Sequence, residues 1–149
     1  MAVLKKTRGA QYPLVTEFVF NFNDTGADYV AGTVKTFGSV FTDNIVFMAL
    51  PLPPNAEIVS GEISVETAYA GPTVATLSVG DTSSATKYAS AVSLLAVGRT
   101  PITLPAATDS GGLDVQLTVN TTVANATAGF VKVRVMYVIN GRVNEVQVT

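Results

Sequence analysis

A chain of 149 residues is long enough for one domain whose core needs no covalent staple. It contains no cysteine and no histidine, which excludes disulfides, thiolate nucleophiles, zinc–thiolate and imidazole metal sites, and a Ser-His-Asp triad. Charged residues make up 13% of the chain and the formal net charge is −2, a surface composition that favours association with other proteins.

Residues 1–13 carry Lys5, Lys6 and Arg8, no acid, and end at Tyr12-Pro13. They read as an N-terminal arm ahead of a domain over 14–149, either a loose tail or a segment that orders against an acidic neighbour. No apolar h-region follows the cations and no run of eighteen apolar residues occurs, so neither a secretory signal nor a membrane partner is expected.

From Leu14 the apolar period is two. Phe18, Phe20 and Phe22 fall on one face and Glu17, Val19 and Asn21 on the other, the pattern of a half-buried strand. Asn23-Asp24-Thr25-Gly26 is turn chemistry. A second extended stretch is predicted over 29–41, interrupted by Gly32 and Gly38. Residues 44–50, apolar from Ile45 onward, suit a strand buried on both faces. Pro51-Leu52-Pro53-Pro54 stops it with a rigid connection, because proline donates nothing to a ladder.

Alternation returns over 58–69, with Ile63, Val65, Thr67 and Tyr69 on one side, and over 73–79, with Ala75, Leu77 and Val79. A loop at 80–84 leads into 84–96, where a single helical turn is expected. Residues 102–104 read as a short strand between two prolines. Leu113, Val115, Leu117 and Val119 alternate, as do Val131, Val133, Val135 and Tyr137. Asn140-Gly141 is a strong hairpin signal, with 142–149 as the return strand. Eight to ten short strands with regular turn signals and no convincing helix predict a single-domain, all-β, antiparallel β-sandwich or jelly roll.

Few motifs carry chemistry. Asp24-Thr25-Gly26-Ala27-Asp28 resembles the aspartic-protease signature, and Asp109-Ser110-Gly111 is a conceivable second half. Two carboxylates sharing a proton would need no histidine. However, no apolar residue leads directly into either aspartate and no glycine-rich flap follows, so both read as turns. Asp24, Asp28 and Asp43 have no EF-hand spacing, and no phosphate-binding glycine loop occurs, so no metal and no cofactor are expected. Lys132 and Arg134 share one strand face, but beside a pI near 4.9 this is a solvated face and not a nucleic-acid footprint.

Residues 45–69, the Leu77-Ser78-Val79-Gly80-Asp81 turn with Ala85, Lys87-Tyr88 and Gly98-Arg99-Thr100, and the ending Val131-Lys132-Val133-Arg134-Val135-Met136-Tyr137 resemble head decoration, or cement, proteins of tailed bacteriophages. The similarity spans most of 40–149 and leaves 1–30 uncovered. It implies a non-enzymatic virion protein on the outer surface of the capsid, commonly a homotrimer, that clamps neighbouring major capsid protein subunits against the pressure of packaged DNA. The expected contacts are physical ones. Lys5, Lys6 and Arg8 would meet an acidic capsid patch, while the rigid Pro51, Pro53 and Pro54 and the Tyr88 loop would lose little entropy on binding. The alternatives are a tail or fibre module of the same fold, with host glycans as a candidate ligand, and the aspartic protease.

Overall fold

A computed structural model describes residues 12–40, 44–106 and 113–140. Within them the chain forms β1 (Leu14–Asn21), β2 (Thr25–Ala27), β3 (Val34–Thr36), β4 (Ile45–Leu50), β5 (Ala56–Ala70), β6 (Val74–Gly80), β7 (Ala89–Ser93), β8 (Gly98–Pro101), β9 (Val115–Thr122) and β10 (Ala128–Ile139). No helix occurs among the described residues.

The strands make two four-stranded sheets, ordered β1-β10-β5-β8 and β4-β9-β6-β7, with every pairing antiparallel. β2 and β3 form a separate ribbon between β1 and β4. With the ribbon set aside, the pairing is nested. The first strand pairs with the last (β1 with β10), the second with the next to last (β4 with β9), then β5 with β8 and β6 with β7. A long hairpin rolled over itself in this way is a jelly roll, and its two sheets share one core.

That core is built by strand alternation. Phe20, Ile63, Val65, Val131, Val133 and Val135 point inward from one sheet, each at most 4% exposed. Leu77, Val79, Val115, Leu117 and Val119 answer from the other, each at most 1% exposed. Where β1 and β4 lie side by side, the gap is filled by aromatic rings. Phe37, just after β3, stacks on Phe20 at 4.4 Å and on Phe47 at 4.1 Å between centroids. The ribbon can lie this close because Gly26 has no Cβ; one added there would sit 2.6 Å from the Phe47 ring.

Several expectations are corrected. Residues 29–41 are not one extended stretch: 28–33 form the ribbon's turn, and only Val34–Thr36 pair. The helical turn at 84–96 is absent. Asp81 gathers the 82–87 loop around its carboxylate, and from Ala89 the chain pairs with β6 as β7. Serine and threonine in this stretch compete for backbone groups and disfavour helix. The strand placed at 102–104 lies earlier, at Gly98–Pro101. Beyond Pro101 single bonds replace the ladder: Ile102 N donates to Gly61 O, and Thr103 N to Tyr88 O. Thr67 is exposed, not inward, because register shifts opposite Phe130 rotate this part of β5. The hairpin expected after Asn140, with its return strand, and most of the N-terminal arm fall outside the described residues.

Candidate interaction surfaces

The outer face of the β1-β10-β5-β8 sheet is charged and internally neutralised. Register places Glu17, Arg134 and Glu62 in one row across three strands. Arg134 Nε donates to Glu17, and its Nη1 lies 3.4 Å from Glu62 Oε1. The hydrogen bond to Glu17, then its charge, raises the guanidinium pKa further. In the next row Lys132 lies 3.9 Å from Glu66, which also accepts from Ser64 Oγ at 2.8 Å. The Ser64 bond, then Lys132, lowers the Glu66 pKa. Lys132 and Arg134 are thus matched by carboxylates on their own face.

The outer face of the β4-β9-β6-β7 sheet carries no charge in its ladder rows. Val46, Thr118 and Ser78 form one row, and Asn120, Thr76 and Ser93 another. The sparse charge of the composition is therefore unevenly distributed: one sheet face holds a charge ladder and the other carries neutral side chains, with Val46 and Gln116 buried and Thr76, Ser78, Thr118 and Asn120 half-buried. Thr118 Oγ1 is buried with no hydrogen-bond partner among the described residues.

Two buried carboxylates set the loops that flank these faces. Asp28 is 2% exposed and pairs with Lys35 Nζ at 2.5 Å across the ribbon. Its Oδ1 accepts from Val30 N at 3.0 Å and from Val46 N at 3.4 Å, which ties the ribbon to β4. Asp81, also 2% exposed, pairs with Lys87 at 2.7 Å and accepts from the Ser83 and Ser84 amides. Burial opposes the charge in both. The lysine and amide hydrogen bonds outweigh it and hold both carboxyls below their usual range. Between the ribbon, β1 and β4 lies an apolar groove of about 350 Å³ lined by Phe18, Gly26, Tyr29, Phe37, Phe47 and Met48 among others. Tyr29, Val30 and Val34 stand exposed at the ribbon tip, at 60%, 77% and 73%. The sequence did not announce this feature, because 29–41 reads as an extended stretch interrupted by Gly32 and Gly38 and not as the turn and return strand of a ribbon.

Of the residues singled out from sequence, Lys5, Lys6 and Arg8 lie outside the described residues. Pro51 and Pro54 are exposed and Pro53 is half-buried. The connection is pinned by buried Leu52, whose amide donates to Asp114 Oδ1 at 3.1 Å. Tyr88 is a correction: at 7% exposure it belongs to the core, so its ring offers no surface for a partner. Its partners in the core come from sheet pairing beyond the reach of local sequence.

Asp24 forms a turn. Its Oδ2 accepts from Asn21 N at 2.7 Å, and its own amide donates to Asn21 O. Gly26 serves the packing on Phe47. Asp28, the next acid, is committed to Lys35. Asp43 and Asp109 lie outside the described residues, and among the described residues no group of three acids could hold a metal ion.

No family model and no curated protein matches the sequence. Solved structures do match. A chain of the cyanophage Pam1 capsid asymmetric unit is 24% identical with a TM-score of 0.55, over 93% of this chain and 92% of that one. A chain of the acidic stable capsid structure of Helicobacter pylori bacteriophage KHP30 is 17% identical with a TM-score of 0.54, over 85% of this chain and 87% of that one. The jelly roll described above is therefore a fold that this chain shares, nearly end to end, with chains in two phage capsid structures.

Proposed function

We propose that this chain is a virion structural protein of a tailed bacteriophage that binds the major capsid protein lattice from outside and stabilises the head. The observation that carries this reading is the two-way coverage of the fold match. Nearly all of this chain corresponds to nearly all of a chain within a phage capsid structure. The domain thus has the size of a separate capsid component. The uncharged outer face of the β4-β9-β6-β7 sheet fits the role, since neutral side chains are cheaply desolvated against a partner. The exposed Pro51 and Pro54 beside it add a rigid contact. Repetition over a lattice lets each contact remain modest. No catalytic role is proposed, because Asp24 closes a turn and Asp28 is held by a lysine.

The test is co-sedimentation with mature shells of the phage that encodes the chain, stripped of this protein. Saturable binding, with shells that then release DNA at a higher temperature, is the expected result. No binding at any ratio would sink the proposal. A Thr76→Lys variant, which places a charge in the neutral face, is expected to bind at least about tenfold more weakly, roughly 1.4 kcal/mol. Glu62→Lys, on the charged face, is expected to bind as the parent does.

A further inference from the structure

One strained residue lacks packing within its own domain to offset the strain. Val123, in the connection between β9 and β10, has a φ of 75°, the left-handed region that β-branched side chains rarely adopt. Glycine would take that conformation freely. The chain places a valine there and leaves it 77% exposed. Backbone strain of this kind gathers where a protein grips something outside itself. Val123 belongs to the end of the sandwich where the connections β3–β4, β5–β6, β7–β8 and β9–β10 meet. Thr127 N donates to Ala70 O, Ala126 N to Gly38 O and Tyr69 N to Leu94 O, and Val40 N donates to Asn125 Oδ1 at 2.8 Å. These bonds tie the loops to one another, so the surface they carry is ordered before any partner arrives. Val40, Val74, Leu95 and Val97 stand on it with Val123, each at least 38% exposed. Val74 is the register partner of Thr122 and lies two residues from Thr76, so this end continues the neutral outer face of the β4-β9-β6-β7 sheet. Charge separates this end from the other. Residues 67–80, 88–98 and 115–131, which hold three of the four connections, contain no charged side chain. The connections at the opposite end hold Asp81, Lys87 and Asp114.

We propose that this end seats the domain on the capsid shell, with Val74, Val97 and Val123 against an uncharged, apolar surface of the shell protein. The inference rests on the capsid reading above and assigns its contact. Two observations choose the partner. The first is charge. A phosphate backbone, an anionic membrane or a charged protein patch would lose hydration against this end and find no ion pair there. The second is size. Five partly exposed side chains present a few hundred Å², short of the ~800 Å² per partner that a stable pair in solution buries, so two such ends do not by themselves hold two copies together. Against a shell, the neutral sheet face that runs on from Val74 extends the contact.

Co-sedimentation of three full-length variants with stripped shells tests it, beside their denaturant midpoints. Val123→Gly removes the apolar group and relieves the left-handed strain together. Its midpoint is expected at or above the parent's, with shell binding at least about tenfold weaker. Val97→Lys puts a charge at a site 68% exposed and is expected to keep the parent's midpoint and lose saturable binding. Val30→Gly is the control, since Val30 is also 77% exposed but has no positive φ and lies at the ribbon tip; it is expected to bind as the parent does. Light scattering should give Val123→Gly and the parent the same mass. A parent that binds while either Val123→Gly or Val97→Lys binds equally well overturns this assignment and leaves the capsid reading standing, whereas a parent that never binds overturns both. An equal loss from Val30→Gly would overturn it, as would a lowered midpoint for Val123→Gly, which would mean that the domain itself draws stability from this valine. A mass that falls with Val123→Gly would give this end to a second copy and overturn it as well.

Discussion

Asp28 and Asp81 have the same problem and the same solution. Each is a buried carboxylate, each pairs with a lysine, and each accepts from backbone amides of its loop. Replacing Asp81 removes the acceptor of the Ser83 and Ser84 amides and of Lys87, so Asp81→Ala is expected to cost about 3 kcal/mol, read as a lowered denaturant midpoint. The pH dependence follows from the direction of the shift. Both folded pKa values lie below the ordinary 3.8. The stability these groups add is therefore present above the unfolded value and is lost as pH falls through the folded value. Melting temperatures of Asp28→Asn and parent should differ at neutral pH and converge as the pH falls below 3.8. A constant gap across that range would mean that Asp28 acts through packing alone. The pairing of Asp28 with Lys35 and Asp81 with Lys87 was not legible in the sequence, since a charged residue in a turn ordinarily reads as solvated.

At the scale of elements, the strands that alternate cleanly were legible and those that do not were misread. β1, β6, β9 and β10 follow period two because one side of each meets a continuous core. β7 and β8 are short end strands whose existence depends on β6 and β5, so no local pattern announces them. The ribbon is held by the Asp28–Lys35 pair, by its bonds to Val46 and by the packing of Gly26 and Phe37 on Phe47. Gly26→Val is expected to push the ribbon off that ring and cost about 1–3 kcal/mol, with faster amide exchange at β2 and β3 than at β9. Leu117→Ala, at a site fully enclosed by both sheets, is expected to cost about 3 kcal/mol and to loosen the whole domain cooperatively. Equal local effects from both substitutions would contradict this division.

For the whole molecule, period-two alternation, turn residues and the lack of any apolar helical stripe determined that the chain is an antiparallel β-sandwich, because sheets bury one face and each strand records that burial in its own residues. Absence of histidine and cysteine set the bounds on chemistry in the same direct way. The nested pairing that makes the sandwich a jelly roll was decided only in three dimensions, since strand partners up to the length of the chain apart leave no mark on local pattern. The location of the sparse charge was decided there too. Composition counts charges, but register alone gathers Glu17, Arg134, Glu62, Lys132 and Glu66 on one face and leaves the other neutral. So was the fate of single residues: Tyr88 looked like a surface aromatic and is core, while Tyr29 and Val30 looked like strand and stand exposed at the ribbon tip. Periodicity says that a face is buried, and only the fold says against what.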